Sequence, residues 1–348
     1  MSWEKVYTER TEFEKAYKAE GKELRGLTYR EAIREALILM MEKDKSIFIM
    51  GEGVDDLAGV FGTTIGLQKI FGKKRVFDTP IAENTITGIG AGAAMVGMKP
   101  IVVHMRMDFL LLAMDQIVNH ISKWRYMFGG KLKIPLVIRT IIGRGWGSAA
   151  QHSQSLQGLF LHIPGLKIVV PSNPYDVKGL LIASIEDGTP IIFIEHRLLY
   201  EHIGYVPEDL YSIPLGKGMI KKEGKDVTVV GISYMVFESI KAAEILQKEG
   251  IDIEIIDVRT VKPLDEQIIF ESVKKTGRLV ITDTGWLTGG VAAEISARVA
   301  SNVFKYLKAP ILRVCCPDCP TPASPTLEKL FYPGVNEIIS AVKNVCGK

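Results

Sequence analysis

Glu83 stands in the run Asp78-Thr79-Pro80-Ile81-Ala82-Glu83-Asn84, just ahead of a stretch of small residues from Gly88 to Gly97. Pro80 ends the preceding strand or loop, and the glycines and alanines that follow let other backbone approach a helix closely. So smooth and apolar a helix is expected to be buried, with the Glu83 carboxylate at its mouth. An ionised carboxylate taken out of water costs several kcal/mol unless it is paired. Glu83 therefore reads either as an acid that caps the helix N-terminus or as a group with a proton to move. An apolar pocket strengthens a carboxyl group's hold on its proton, which suits the second role.

His152 is the other residue whose type and place suit proton transfer. It lies in Gly143-Arg144-Gly145-Trp146-Gly147-Ser148-Ala149-Ala150-Gln151-His152-Ser153, after a strand expected to end near Thr140. A glycine-rich loop there falls at the carboxyl edge of a parallel sheet, where open α/β folds bind ligands. An imidazole can give or take a proton near neutral pH, and a satisfied structural hydrogen bond is the alternative. Glu52, in Gly51-Glu52-Gly53 at the end of the first strand, reads as a site acid or as ordinary strand-end packing. His104, His120, His162, His196 and His202 show no metal-ligand spacing. Cys316-Pro317-Asp318-Cys319 is one CxxC without a second pair, so it reads as a loop rather than a zinc site.

The elements that must hold these groups follow from alternating periodicities. Thr28-Tyr29-Arg30-Glu31 has the form of a capping box and opens an amphipathic helix to about Lys43, followed by a buried strand from Ser46 to Met50. Further strands are expected at Val76–Asp78, Ile101–His104, Leu136–Thr140, Lys167–Val170 and Ile191–Glu195. Helices are expected near 84–98, 109–127, 154–161 and 174–186. Apolar strands joined by helical crossovers imply a mostly parallel sheet covered on both faces. Between 204 and 225 the pattern breaks into prolines and a charged stretch, read as a linker. A second alternation follows, with strands near Val227–Ile232, Ile253–Asp257, Leu279–Asp283 and Ile311–Val314, and helices near 235–249, 265–275, 289–302 and 325–346. The expected organisation is an extension over 1–25, a first α/β domain over 26–203, the linker, and a smaller α/β domain over 226–348.

Composition narrows the classes. With 348 residues, 47% of them hydrophobic and 24% charged, the chain can bury two cores. Its formal net charge of +3 and lack of a long basic run disfavour a nucleic acid partner. The longest apolar runs, such as Ile134–Ile138, fall far short of the roughly 20 residues that cross a bilayer. Met1-Ser2-Trp3-Glu4-Lys5 lacks the apolar core of a signal peptide, and four cysteines fit a reducing compartment, so a cytoplasmic protein is expected.

The residues also carry a resemblance. Asp78-Thr79-Pro80-Ile81-Ala82-Glu83 is similar to the DTPISE motif of the beta subunits of thiamine-diphosphate-dependent 2-oxoacid dehydrogenases, the decarboxylating component of the pyruvate and branched-chain complexes. Gly51-Glu52, Asp115-Gln116-Ile117-Val118-Asn119, Tyr126-Met127-Phe128-Gly129-Gly130, Gln151-His152-Ser153-Gln154, His162-Ile163-Pro164-Gly165, Glu195-His196-Arg197-Leu198-Leu199-Tyr200 and Asp257-Val258-Arg259-Thr260 extend it over nearly all of the chain after residue 25. Their order and spacing together are highly specific. The resemblance implies two doubly wound α/β domains, a thiamine-diphosphate pyrimidine-binding domain followed by a transketolase C-terminal-like domain. It gives Glu83 the task of hydrogen bonding the ring nitrogen of the cofactor's aminopyrimidine, so that the exocyclic nitrogen can take the thiazolium proton. It gives His152 a catalytic role as acyl passes to a lipoyl group, and sets Glu52 and Met107 beside the cofactor.

Other parts of the resemblance concern what lies outside the chain. Family enzymes hold Mg and the diphosphate with a Gly-Asp-Gly motif and a later asparagine, because phosphate oxygens need a divalent counter-charge. This chain has no Gly-Asp-Gly; Gly51-Glu52-Gly53 with Asn84 only imitates the spacing. An alpha subunit is therefore expected to hold Mg and the diphosphate in a heterotetramer of two alpha and two beta chains, with a lipoyl acyltransferase core as a further partner. Ser184-Ile185-Glu186-Asp187-Gly188-Thr189-Pro190 resembles a potassium-binding turn of some members, with Thr189 in place of asparagine; Ser184, Ile185 and Asp187 are the ligands this implies. Met105-Arg106-Met107-Asp108-Phe109 departs from the usual aromatic run, and Arg144 with Trp146 alters the loop before His152. These cations either face the pocket, to bind an anionic or sugar-like substrate, or make salt bridges. Two other readings stand beside oxidative decarboxylation of a 2-oxoacid. One is aldehyde or ketol transfer, or decarboxylation without a lipoyl partner, in a specialised pathway. The other is a nucleotide-binding protein using Gly88-Ile89-Gly90-Ala91-Gly92, which lacks the third-glycine spacing.

Overall fold

The computed structural model describes residues 6–19, 25–145 and 147–348. The start of the chain, where no signal peptide is expected, and Trp146 lie outside the described residues. In chain order the elements are α1 (Arg10–Ala19), β1 (Gly26–Thr28), α2 (Tyr29–Lys43), β2 (Ile47–Gly51), α3 (Leu67–Phe71), β3 (Val76–Asp78), α4 (Glu83–Met95), β4 (Lys99–His104), α5 (Met107–Leu110), α6 (Ser122–Met127), β5 (Val137–Ile142) and α7 (Gln157–Leu161). They continue with β6 (Lys167–Val169), α8 (Pro174–Glu186), β7 (Ile191–His196), β8 (Ile203–Tyr205), β9 (Met219–Lys222), β10 (Val227–Gly231), α9 (Tyr234–Lys248), β11 (Ile253–Asp257), β12 (Thr260–Lys262), α10 (Glu266–Thr276), β13 (Leu279–Trp286), α11 (Val291–Val303), β14 (Leu312–Cys316), α12 (Pro325–Phe331) and α13 (Val335–Val345). Among the described residues no helix is long and apolar enough to cross a membrane.

The chain divides into two compact units. The first holds residues up to Ile142 together with Ile163–Leu215, the second Gly143–His162 together with Gly216–Lys348. In the first unit, β6, β7, β5, β4, β2 and β3 lie side by side in that order, all parallel. Strands β2, β5 and β7 are buried along their whole length, as the continuous apolar runs require. The capping box of α2 forms as expected, with the Glu31 amide donating to Thr28 Oγ1 at 3.3 Å and the Thr28 amide to Glu31 Oε2 at 2.8 Å. The stripe Tyr29, Ile33, Ala36, Leu37, Met40, Met41 recurs at helical spacing and is fully buried.

The second unit is a smaller sheet in the order β14, β13, β10, β11, β9, with β9 antiparallel to β11. Val227, Val229, Ile253, Ile255 and Val280 of the strands pack with Met235, Leu246, Ile338 and Val342 of α9 and α13 into one core. Both units are thus layered α/β, as the alternation predicts.

The structure departs from the expected elements in several places. Residues 143–162 group with the second unit, although the sequence places them in the first domain. The stretch expected as a bare linker holds β8 at its start, paired antiparallel with β1, and β9 near its end. The helix expected over 109–127 is interrupted by a π-helical stretch, Gln116–Ile121, and the one over 325–346 breaks before Pro333-Gly334. Within the extension, Phe13 and Tyr17 of α1 are buried against Ile203, so this segment has its own small core. Helix α4 is not wholly buried. Ile86, Thr87, Gly90, Ala91 and Ala94 face inward, whereas Ile89 and Met95 are 54% and 38% exposed.

Candidate functional site

Strand order places the first part of the site. β2 sits between β3 and β4, so the chain leaves β2 toward one side and returns on the other, and the crevice beyond their carboxyl ends is a topological switch point. Gly51 pairs in register with Asp78 of β3 and Val103 of β4. It has φ 142°, and a Cβ there would lie 2.1 Å from the Val103 carbonyl oxygen, so only glycine lets β4 come this close. The chain then turns into Glu52, whose amide donates to the Val103 carbonyl at 3.1 Å. Asp78 fixes the next residues by accepting from the Val54 amide at 2.5 Å, and the Thr79 amide donates to the Gly51 carbonyl at 3.1 Å. The loops carrying Glu52 and Glu83 are thereby tied together.

Glu83 is the first residue of α4 and is 6% exposed; Glu52 is 8% exposed. Each acts electrostatically on this crevice. Glu52 has its pKa raised by burial, then by the negative charges of Glu83 and Asp78, while a hydrogen bond from the Met105 backbone opposes the shift. Its Oε1 is buried without a hydrogen-bond partner among the described residues. The neighbouring negative charge of Glu83 thus adds to burial in tightening the hold of Glu52 on its proton. Met107, fully buried in the first turn of α5, follows β4 at the same edge.

His104, the last residue of β4, is fully buried and its Nε2 lies 2.9 Å from Thr87 Oγ1, one turn along α4 from Glu83. Burial lowers its pKa to about 4, so it is a neutral imidazole that pins the first turns of α4. The sequence carries a signal for it, a histidine closing the apolar run Ile101-Val102-Val103, but metal spacing is the wrong test. Arg106, before α5, is buried and faces Arg197, whose guanidinium lies 4.0 Å over the Phe61 ring.

His152 belongs to the second unit and is exposed. The residues after it are anchored at alternate positions: the Tyr332 hydroxyl donates to the Ser153 carbonyl at 3.0 Å, Ser155 Oγ lies 3.2 Å from Thr284 Oγ1, and Gln157 Nε2 donates to Asp283 Oδ1 at 2.7 Å. Arg144 follows the salt-bridge reading, 3.6 Å from Glu328 and 5.0 Å over the Tyr332 ring. Thus Glu52, Glu83 and Met107 gather at one sheet edge, and His152 is carried by the other unit.

The remaining expected groups are placed as follows. Ser184, in α8, donates to the Leu180 carbonyl at 2.7 Å, Ile185 is buried, and Asp187 binds Lys167 Nζ at 2.5 Å and the Thr189 hydroxyl. A potassium ion at Asp187 must compete with that ammonium. Gly88-Ile89-Gly90-Ala91-Gly92 lies within α4, not in a strand-to-helix turn, which removes the nucleotide-loop reading. Cys315, Cys316, Cys319 and Cys346 are all free thiols, and Cys316 Sγ donates to the Thr284 carbonyl at 3.3 Å.

Residues 25–202 match the family described as transketolase, pyrimidine binding domain, and residues 216–338 the transketolase, C-terminal domain. The chain is 46% identical over 336 residues to the acetoin:2,6-dichlorophenolindophenol oxidoreductase subunit beta of Bacillus subtilis (strain 168), covering 93% of this chain and 98% of that protein. It is 46% identical over 320 residues to the pyruvate dehydrogenase E1 component subunit beta of Rickettsia felis, covering 92% and 98%. The 2-oxoisovalerate dehydrogenase subunit beta of Bacillus subtilis (strain 168) is 41% identical over 321 residues, with 92% and 98% covered. Among solved structures, a split gene transketolase in an inactive beta4 tetramer superposes with a TM-score of 0.74 at 23% identity, over 93% of this chain and 99% of that one. That likeness speaks for the fold alone.

Proposed function

The chain belongs to the beta subunits of the thiamine-diphosphate-dependent 2-oxoacid dehydrogenases, and from that premise we propose that it works with an alpha subunit to decarboxylate a 2-oxoacid and pass the acyl group to a lipoyl group. The observation that carries this reading is the pair of buried acids, Glu52 and Glu83, at the switch point of the first sheet. The orphaned Glu52 Oε1 fits a ligand that brings a hydrogen-bond donor, and the aminopyrimidine ring has both donors and acceptors. When bound, thiamine diphosphate supplies the carbon nucleophile and the electron sink for decarboxylation.

The chain's own part is to place protons. Glu83 holds one at the aminopyrimidine ring nitrogen, with His104 and Thr87 fixing the helix from which it projects. Glu52 keeps the local charge low, and Met107 would supply an apolar contact for the ring. His152 exchanges a proton as acyl leaves. Mg and the diphosphate fall to the alpha subunit, since no Gly-Asp-Gly is present. A potassium ion at Ser184, Ile185 and Asp187 is a further part of the reading, conditional on Lys167 giving way. The exposed apolar side chains of Ile81, Ile89, Val96, Tyr126 and Met127 in the first unit support a subunit interface of two alpha and two beta chains. A second reading is favoured by the acetoin relative: cleavage of a 2-hydroxyketone, with the two-carbon fragment giving up two electrons to the disulfide of the lipoyl acceptor or to an artificial dye.

Co-expression with an alpha subunit, followed by turnover of pyruvate, branched 2-oxoacids and acetoin with a lipoyl acceptor, separates them. Carbon dioxide release from a 2-oxoacid with acylation of the lipoyl group is the expected result. Turnover of acetoin alone moves the assignment to the second reading, and turnover of none of them overturns both.

A further inference from the structure

Asp283 lies inside β13, 1% exposed, in the run Leu279-Val280-Ile281-Thr282-Asp283. No step above uses it. Its Oδ1 accepts from Gln157 Nε2 at 2.7 Å, and Gln157, itself 1% exposed, opens α7 five residues after His152. With the Ser155–Thr284 hydroxyl pair and the Tyr332 bond to the Ser153 carbonyl, it forms the last and most buried of three ties on the strip that leaves His152. From this geometry we propose that Asp283 is a positioning residue for His152, acting through the Gln157 amide; the proposal rests on the reading of His152 as the proton-carrying histidine.

The chemistry of the pair supports it. Among the described residues, Asp283 Oδ2 and Gln157 Oε1 are both buried with no group in hydrogen-bond geometry. A proton on the carboxyl turns Oδ2 into a donor, and Oε1 shares its amide carbon with the nitrogen already bonded to Oδ1. Acid and amide can then close a two-bond ring that satisfies both orphaned oxygens. Burial raises the carboxyl's pKa to about 6, opposed by the nearby Gly285 amide, by Gln157 and by the nearby Thr284 amide. The titratable groups facing it are Cys315 and Cys316 of β14, both kept as neutral thiols by burial. Arg313 and Asp318 act on the first of these thiols, Arg144 and Cys319 on the second. Gly285 guards the pair from the side, for a Cβ there would lie 2.9 Å from Asp283 Oδ2 and 3.2 Å from Gln157 Nε2.

The test follows His152 directly. The rate of diethylpyrocarbonate modification at His152, read by mass spectrometry on the full chain assembled with its alpha subunit, should change at least threefold in Asp283→Ala. It should return toward the parent value in Asp283→Asn, which still pairs with an amide. In the same assembly kcat should fall at least tenfold in Asp283→Ala with KM within twofold, and Asp283→Asn should restore it while losing a pH inflection near 6 in kcat. Gly285→Ala, which displaces the carboxyl without removing it, should reproduce the Asp283→Ala change and covers the case in which that variant does not fold. An unchanged His152 modification rate in both Asp283→Ala and Gly285→Ala overturns the proposal. A changed rate with full activity in His152→Ala sinks only the catalytic reading of His152.

Discussion

The first unit buries two kinds of acid, and they are treated in opposite ways. Glu195 on β7 is fully enclosed, but Arg139 on β5 meets it with two hydrogen bonds, of 2.6 and 3.0 Å, and the Tyr200 hydroxyl adds a third at 2.9 Å. Glu52 lies at the edge of the same sheet with one oxygen unpartnered, and the charges nearest it are the acids Glu83 and Asp78. The chain answers the first charge from within, whereas the second waits for a ligand. Buried acids thus separate into those that serve the fold and those whose environment makes sense only with a bound group.

The contrast breaks most sharply at Glu83. Glu83→Gln keeps size and hydrogen bonding but removes the proton-holding acid, and turnover of the assembled enzyme should fall by about 10²–10⁴-fold. Its stability in urea unfolding should change by no more than about 2 kcal/mol, the most that a partly buried first-turn carboxylate contributes through the helix dipole. A variant with full turnover would remove Glu83 from the mechanism. Arg139→Met is the mirror case. It leaves Glu195 buried without its cation and should cost about 3–5 kcal/mol in urea unfolding. A loss below about 1 kcal/mol would show that Glu195 tolerates burial without its partner.

The two acids are not equally legible. Glu83 announces itself through the proline before it and the smooth run after it, which are local features. The Arg139–Glu195 pair joins residues on neighbouring parallel strands 56 positions apart, and no local pattern registers such a contact. The α2 capping box and the strand that begins at Ile191 can be read directly because caps and buried apolar runs are set by adjacent residues. The packing of 143–162 within the second unit is hidden in the same way. Ser155, Gln157 and Ser153 are held by Thr284, Asp283 and Tyr332, all more than 120 residues later in the chain. Helix α4 is expected to be buried all round because glycine and alanine read as packing residues whether the neighbour belongs to the same chain or not.

Asp283 in the second unit is a third buried acid, and among the described residues neither a cation nor a second acid shifts it. Its folded pKa of about 6 exceeds the ordinary 3.8, so the folded chain holds the proton more tightly than the unfolded one. Stability from this group is complete below about pH 4 and is lost as pH rises to about 6, beyond which the loss is constant. At about 1.4 kcal/mol per pH unit the loss amounts to about 3 kcal/mol. Asp283→Asn removes it, so the variant should gain stability over the parent chiefly above pH 6, with the two curves converging at lower pH. A gain that does not depend on pH would rule out titration of Asp283 as its source.

The smallest expected effect falls on Glu52. Its pKa is also raised, by burial first and by Glu83 second, so the sign is the same: stability falls as pH climbs through the shifted value. Because the Met105 backbone already donates to it and the group sits at a crevice, replacing it with the neutral Glu52→Gln should stabilise the chain by only about 1 kcal/mol at pH 7, measured by urea unfolding. The same substitution at Glu195 should destabilise, because it strands the Arg139 guanidinium in a site where no other acid among the described residues is bonded to it. One neutralisation that stabilises and one that destabilises, within a single sheet, is the outcome that distinguishes an acid held for a ligand from one held for the fold. If both changes destabilise, Glu52 has a partner in the folded chain and its place in the site must be redrawn.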